Sequence, residues 1–245
     1  MDWQHHMRQN AYNWLLGDHP TGCLPEALLL LLGNPDLFDR DTVFPLFDDI
    51  QSVGAFLTGR YESVEVALTR PRFGAPIVAM YLEVAAMAGV RRVVAAGYVG
   101  GLRQEVHVGD LFLPSAAIAL DGTTHAYSLG DTQLPGSARL HAALLELATQ
   151  RDLAYTEGIV VSIDALMLET TALVAEWHEA GYSAVDLETA CLFGVGGKVG
   201  LDCAAAHIVS DSPFEADVDP GAGHMASRSE QLTVALGALT SPEHR

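Results

Sequence analysis

Three observations predict an α/β fold with a mixed central sheet for this 245-residue chain. Short apolar runs alternate with amphipathic helical segments along its whole length, the pattern of strands and helices interleaved around one sheet. Most of the runs are built from Val, Ile, Leu and Ala, as in strands buried on both faces. A composition 49% hydrophobic and 18% charged supports one large core, so residues 1–245 are read as one domain.

The strand candidates are Ala27–Leu32, Ser63–Thr69, Arg92–Ala96, Asp110–Ala117, Thr156–Ser162, Ala184–Asp186 and Cys203–Val209. Helical spacing puts Ile77, Met80, Tyr81 and Val84 on one stripe of Pro76–Ala88. Leu140, Leu144 and Leu147 do the same in Ser137–Arg151, with Ser137 as the expected N-cap. Thr170–Ala180 ends at Gly181, Glu188–Gly200 is a further helix, and Met225–Leu239 closes the pattern.

Charge and composition exclude several functions. The formal net charge is -18 and Lys198 is the one lysine, a field that repels nucleic acid. Solubility, or a coding bias toward arginine, accounts for the acidity. There is no apolar run of membrane-spanning length, and Met1–Asn10 lacks the apolar stretch of a secretory signal. Cys23, Cys191 and Cys203 show no pair spacing, which fits a reduced cytoplasmic protein. Neither His-Glu-x-x-His nor Cys-x-x-Cys occurs, so no metal and no cofactor are expected.

In a sheet of this kind ligands sit beyond the carboxyl ends of the strands. Three clusters fall there: Gly97–Gly101, Asp186–Glu188 and Ser210–Asp211. The glycines either turn the chain or let backbone approach a ligand. In Val185-Asp186-Leu187-Glu188, Asp186 is read as the cap of the following helix. The other carboxylate is then free to accept from two adjacent sugar hydroxyls. Ser210 and Asp211 form either a turn or an acid over the sheet edge, and the acid reading requires burial to raise an aspartate from its ordinary value near 4. A Ser210–His207–Asp211 triad is disfavoured, because all three share one strand end.

In order along the chain, LLLLGNP, LTGRYES, RFGAPI, AAGYVGGLRQEVHVGDLFLPSAAI, VVSIDALMLET, AVDLETACLFGVG and AAHIVSDSP resemble seven signatures of the nucleoside phosphorylase/nucleosidase family. The likeness runs from about Leu28 to Leu236. It implies a three-layer α/β/α fold with a mixed, partly barrel-like central sheet, and assembly as a homodimer or homohexamer. It also implies cleavage of the N-glycosidic bond of a small-molecule nucleoside, with phosphate as a possible second substrate.

Residue by residue, the resemblance makes Glu188 the clamp on the ribose hydroxyls and Leu187 the apolar contact under the sugar. Asp211, beside Ser210, matches the acid that protonates a purine leaving group. Leu166 stands where an aromatic residue underlies the base, and Gly97 and Tyr98 belong to the glycine turn. His224 aligns near an arginine that assists the acid, with Arg228 one turn on. His19 matches, by spacing, a histidine that reaches a neighbour's sugar; a surface turn is its other reading.

The phosphate cradle departs from the family pattern. Leu37, Ser52 and Ala95 stand where the resemblance puts arginines, and Tyr98 where it puts Ser or Thr. Three missing guanidinium groups remove most of the affinity for a phosphate dianion. Gly33 remains at the expected phosphate position, and Arg72 is the nearest candidate replacement, ahead of Arg40, Arg60 and Arg70. The chain is therefore expected to hydrolyse a purine-type nucleoside or to use an unusual acceptor. A phosphorylase with relocated arginines and an inactive nucleoside-binding member are the alternatives.

Overall fold

The structure is a computed structural model that describes residues 2–33, 40–130, 132–215 and 224–241, without the side chains of 40, 41 and 224–226. Ten strands form one mixed sheet. They are β1 (Ala27–Leu31), β2 (Asp48–Val53), β3 (Phe56–Tyr61), β4 (Val64–Thr69), β5 (Arg92–Gly101), β6 (Leu111–Ala119), β7 (Gln133–Pro135), β8 (Tyr155–Ser162), β9 (Ala184–Asp186) and β10 (Asp202–Asp211). Parallel pairing joins β4–β1–β5–β10 and β6–β8–β9. Antiparallel pairing of β9 with β5 and of β10 with β6 closes β5, β10, β6, β8 and β9 into a ring. The expected partly barrel-like mixed sheet is thus present.

The eight helices are α1 (Trp3–Leu16), α2 (Arg40–Val43), α3 (Ala75–Met87), α4 (Gly122–Ala126), α5 (Ala138–Gln150), α6 (Thr171–Glu179), α7 (Thr189–Lys198) and α8 (His224–Thr240) among the described residues. Side chains alternate across the strands and so divide the core. Leu28 and Leu30 of β1 pack in the cluster that includes α1, α3 and α7, while Leu29 and Leu31 pack with α5 and α8 on the opposite face. A smaller cluster of Leu102, Val161, Ile163 and Val185 is closed by Trp177 of α6. Among the described residues, no helix is long and apolar enough to cross a membrane.

Every strand and long helix expected from the periodicity is found within a few residues of its place, and the differences have physical reasons. The glycines of Gly97–Gly101 continue β5 instead of leaving it. A Cβ on Gly97 would stand 3.0 Å from Leu32 Cβ, and one on Gly101 would stand 3.0 Å from the Val106 carbonyl oxygen. Glycine is what lets the strand run between such close neighbours. The hairpin β2–β3 shows no long apolar run, because most of β2 is exposed. Ser137 occupies the N-cap of α5 but makes no side-chain cap bond. Thr170 does cap α6, accepting from the Leu173 N–H at 3.3 Å. The helix α1 is not among the elements expected from periodicity. Asp2 caps it, and Tyr12, Leu15 and Leu16 bury its inner face.

Candidate active site

The carboxyl ends of β1, β5, β9 and β10 open onto one cavity of about 270 Å³. Gly33, Tyr98, Leu166, Leu187, Glu188, Ser210 and Asp211 all line it, so seven of the residues singled out from sequence meet there. The register explains the meeting. Gly100 of β5 pairs with Val185 of β9 on one side and Asp211 of β10 on the other. A Cβ at Gly100 would stand 3.2 Å from Val185 Cγ1 and 3.4 Å from Asp211 Oδ2. Its absence brings the two flanking strands, and the carboxylates near their ends, together over β5.

Glu188 lies two residues past the end of β9 and is the N-cap residue of α7. It is only 6% exposed, and its Oε1 accepts the Gly74 N–H at 2.7 Å. Gly74 is itself the N-cap of α3, with φ of +102°, a backbone conformation that glycine adopts without Cβ strain. The positive end of α3 therefore faces the carboxylate. Burial, and then the charge of Asp186, push the Glu188 carboxyl up to about 8. Gly74 restrains that rise without cancelling it.

Asp186 is buried and behaves as expected of a cap. It accepts from the N–H groups of Glu188 at 3.3 Å and Thr189 at 3.0 Å, and from the hydroxyls of Ser162 and Thr189. Burial raises its carboxyl and these donors oppose the rise. His207 is fully buried and its imidazole is lowered to about 3 by desolvation. Its Nε2 lies 2.9 Å from Thr189 Oγ1, not near Ser210, so the disfavoured triad does not form.

Asp211 is exposed at the end of β10, where the pairing with β5 skips Ser210. The Ser210 hydroxyl lies 3.1 Å from the Val99 carbonyl oxygen and 2.5 Å from Asp211 Oδ1. This extra residue re-aims the strand end, a common use of a bulge beside a site. Leu166 is half exposed on the 3-10 turn Leu166–Leu168 that follows β8.

The remaining sequence candidates lie elsewhere. Gly97 sits inside the sheet, and its carbonyl oxygen accepts the Gln231 amide at 2.7 Å. Arg72 is exposed and does not line the cavity, and His19 is an exposed residue in the turn after α1. Leu37 and the side chain of His224 lie outside the described residues. Arg228 is 2% exposed and donates to the Tyr98 hydroxyl from Nε at 3.1 Å and Nη2 at 2.7 Å.

Sequence reasoning missed Phe73, Glu169 and Gly74. The first two line the cavity, and burial and then the Asp211 charge raise the Glu169 carboxyl. The signal for Gly74 was present in RFGAPI, a glycine one residue before a helix start. The cavity thus gathers four carboxylates: Glu169, Asp186, Glu188 and Asp211. None of its described lining residues is Lys or Arg.

Residues 27–238 match the family model described as the phosphorylase superfamily. A guanosine phosphorylase of Halorubrum lacusprofundi is 23% identical over 226 residues, covering 87% of this chain and 93% of its own. A DeoD-type purine nucleoside phosphorylase of Alkaliphilus metalliredigens is 25% identical over 68% of this chain and 72% of its own. A uridine phosphorylase of Thermococcus kodakarensis is 24% identical over 71% and 68%. The crystal structure of a uridine phosphorylase from Vibrio fischeri shares the fold, with a TM-score of 0.78 at 22% identity, covering 90% of this chain and 96% of that one.

Proposed function

The chain belongs to the phosphorylase superfamily, and on that premise we propose that it cleaves the N-glycosidic bond of a purine-type nucleoside by hydrolysis. Departure of the base leaves an oxocarbenium-like sugar. The reaction needs a clamp on the sugar, a proton for the base and a nucleophile at the anomeric carbon. Glu188 supports the clamp: Gly74 holds Oε1 at 2.7 Å, and the carboxylate's remaining acceptor sites are proposed to take the two ribose hydroxyls. Leu187 supplies the apolar surface beneath and Leu166 the surface under the base; Asp211, exposed at the strand end, serves as the acid once a bound base covers it.

The charge of the cavity carries the choice of nucleophile. With no Lys or Arg among the described lining residues, a phosphate dianion finds no guanidinium or ammonium partner there, and a neutral water needs none. Arg72 stands outside, and Arg228 is engaged with Tyr98. Phosphorolysis is the second reading, favoured by Gly33 at the cavity wall and by the phosphorylase names of the relatives. The family likeness also supports a dimer or a hexamer of dimers, in which His19 reaches a neighbouring sugar.

The test is base release from a nucleoside panel, with and without phosphate, with the sugar product identified. Free ribose at a rate unchanged by phosphate is expected. Ribose 1-phosphate formed only with phosphate, and lost in Arg72→Ala, overturns hydrolysis in favour of phosphorolysis. A base bound without turnover, unaffected by Asp211→Asn, makes the protein a binder.

A further inference from the structure

The most heavily hydrogen-bonded side chain at the cavity wall is Asp186, not Glu188. Its Oδ1 accepts the Ser162 hydroxyl and the Glu188 N–H, and its Oδ2 accepts the Thr189 N–H and the Thr189 hydroxyl. Ser162 Oγ in turn accepts the Ala190 N–H at 2.9 Å. The end of β8, the β9–α7 turn and the first turn of α7 are therefore tied to one carboxylate.

The tie continues to β10. Thr189 gives its one hydroxyl proton to Asp186, so the contact with His207 must be donated by the imidazole Nε2–H. That fixes the tautomer and leaves Nδ1 bare. Nδ1 has no partner among the described residues, and it lies 3.1 Å from where a Cβ on Gly97 would stand. His207 is neutral, so it does not offset the Asp186 charge although Nε2 approaches Oδ2 to 4.0 Å. The charge acts on Glu188, two residues on.

We propose that Asp186, braced by Ser162, Thr189 and His207, is the positioning residue for Glu188. It fixes the turn that presents Leu187 and Glu188 to the cavity, and it sets the electrostatic surroundings in which Glu188 meets the sugar. This rests on the reading of Glu188 as the sugar clamp. Among the described residues, the titratable groups around Glu188 are Asp186, Cys191 of α7, His207 behind Thr189, and Tyr98, Glu169 and Asp211 on the same cavity. Asp186 is the only one of these whose charge acts on the Glu188 carboxyl from within the turn that presents it.

The deciding experiment compares Asp186→Asn with the unaltered protein by two readouts. The first is the pH profile of KM for the best nucleoside. The second needs no turnover: the pH dependence of the melting-temperature difference between each protein and its Glu188→Gln counterpart. Both midpoints are expected near pH 8 in the unaltered protein. In Asp186→Asn they are expected to fall by about one pH unit or more, as removal of an adjacent like charge requires. An unmoved midpoint overturns the proposal.

If Asp186→Asn does not fold, Thr189→Val and Thr189→Ser decide. The valine is expected to raise KM about tenfold with kcat nearly unchanged, the loss of one charge-assisted hydrogen bond, and the serine to restore it. Equal behaviour of the two variants, or a loss in kcat alone, overturns the proposal. Nucleoside turnover with an unmoved midpoint defeats the positioning role and leaves the proposed function standing. A thermal midpoint that moves without any turnover does the reverse.

Discussion

On one side of β5 a carboxylate is buried and tied down; on the other a carboxylate stands in the open. Glu188 is 6% exposed, bonded to the N-cap of α3, and sits beside the braced Asp186. Asp211 is exposed, with Ser210 as its one bonded neighbour among the described residues. A group that grips a fixed sugar gains from rigid placement, because misplacement weakens every bond it makes to the ligand. A group that hands a proton to a departing base needs reach more than rigidity. The contrast assigns stability and pH dependence to the Glu188 side and chemistry alone to the Asp211 side, and each assignment can be broken separately.

The largest effect is expected from Glu188→Gln. Measured above pH 8, where the carboxylate is ionised, losing its two charge-assisted bonds to the sugar should lower kcat/KM on the order of 1,000-fold. The same variant should change stability with a defined pH dependence. The folded Glu188 keeps its proton up to about 8, whereas the ordinary value is 4.5. Between those values the unfolded chain has released a proton that the folded chain retains. Stability from this group is therefore complete below 4.5 and is lost as pH rises toward 8. Melting curves at pH 5 and pH 9 should show Glu188→Gln gaining on the unaltered protein only at the higher pH. A gain that is equal at both would remove the electrostatic half of the comparison.

Next comes Asp211→Asn, expected to slow release of a purine base about 100-fold, the usual scale of general-acid catalysis. Because Asp211 is exposed, the unfolding free energy of the variant should stay within about 0.5 kcal/mol of the unaltered protein's. Chemical denaturation of this variant tells whether the two sides really differ. Gly74→Ala is expected to raise KM about tenfold by disturbing the N–H that holds Glu188. Its positive φ with an extended ψ should also cost about 1–3 kcal/mol of stability. A KM equal to that of the unaltered protein would mean that Glu188 is not held from α3.

The smallest effect on turnover is expected from Tyr98→Phe, whose consequence is structural. Buried Arg228 loses the hydroxyl that accepts from Nε and Nη2, at a cost of about 1–3 kcal/mol. A denaturant midpoint that does not fall would show that Arg228 rests on its other contacts.

Much of this architecture was legible in one sequence. Strand and helix order, the placement of Leu187–Glu188 and Ser210–Asp211 at strand ends, and the capping role of Asp186 follow from local periodicity and short motifs. Those are properties of a few adjacent residues. The hairpin β2–β3 was not legible, because an exposed strand leaves no apolar pattern. The extension of β5 through its glycines depends on how closely Leu32 and Val106 approach, which no local window contains.

The site divides the same way. The sequence alone determined which carboxylates end which strands, because chain order and periodicity set that. Only the tertiary structure decided that Gly74, 114 residues away, holds Glu188, and that β9 and β10 flank Gly100. It also left Arg72 outside the cavity and turned Arg228 to Tyr98. Hydrogen bonds between distant segments, and the burial that shifts a carboxyl, exist only once the sheet has closed and brought those segments together.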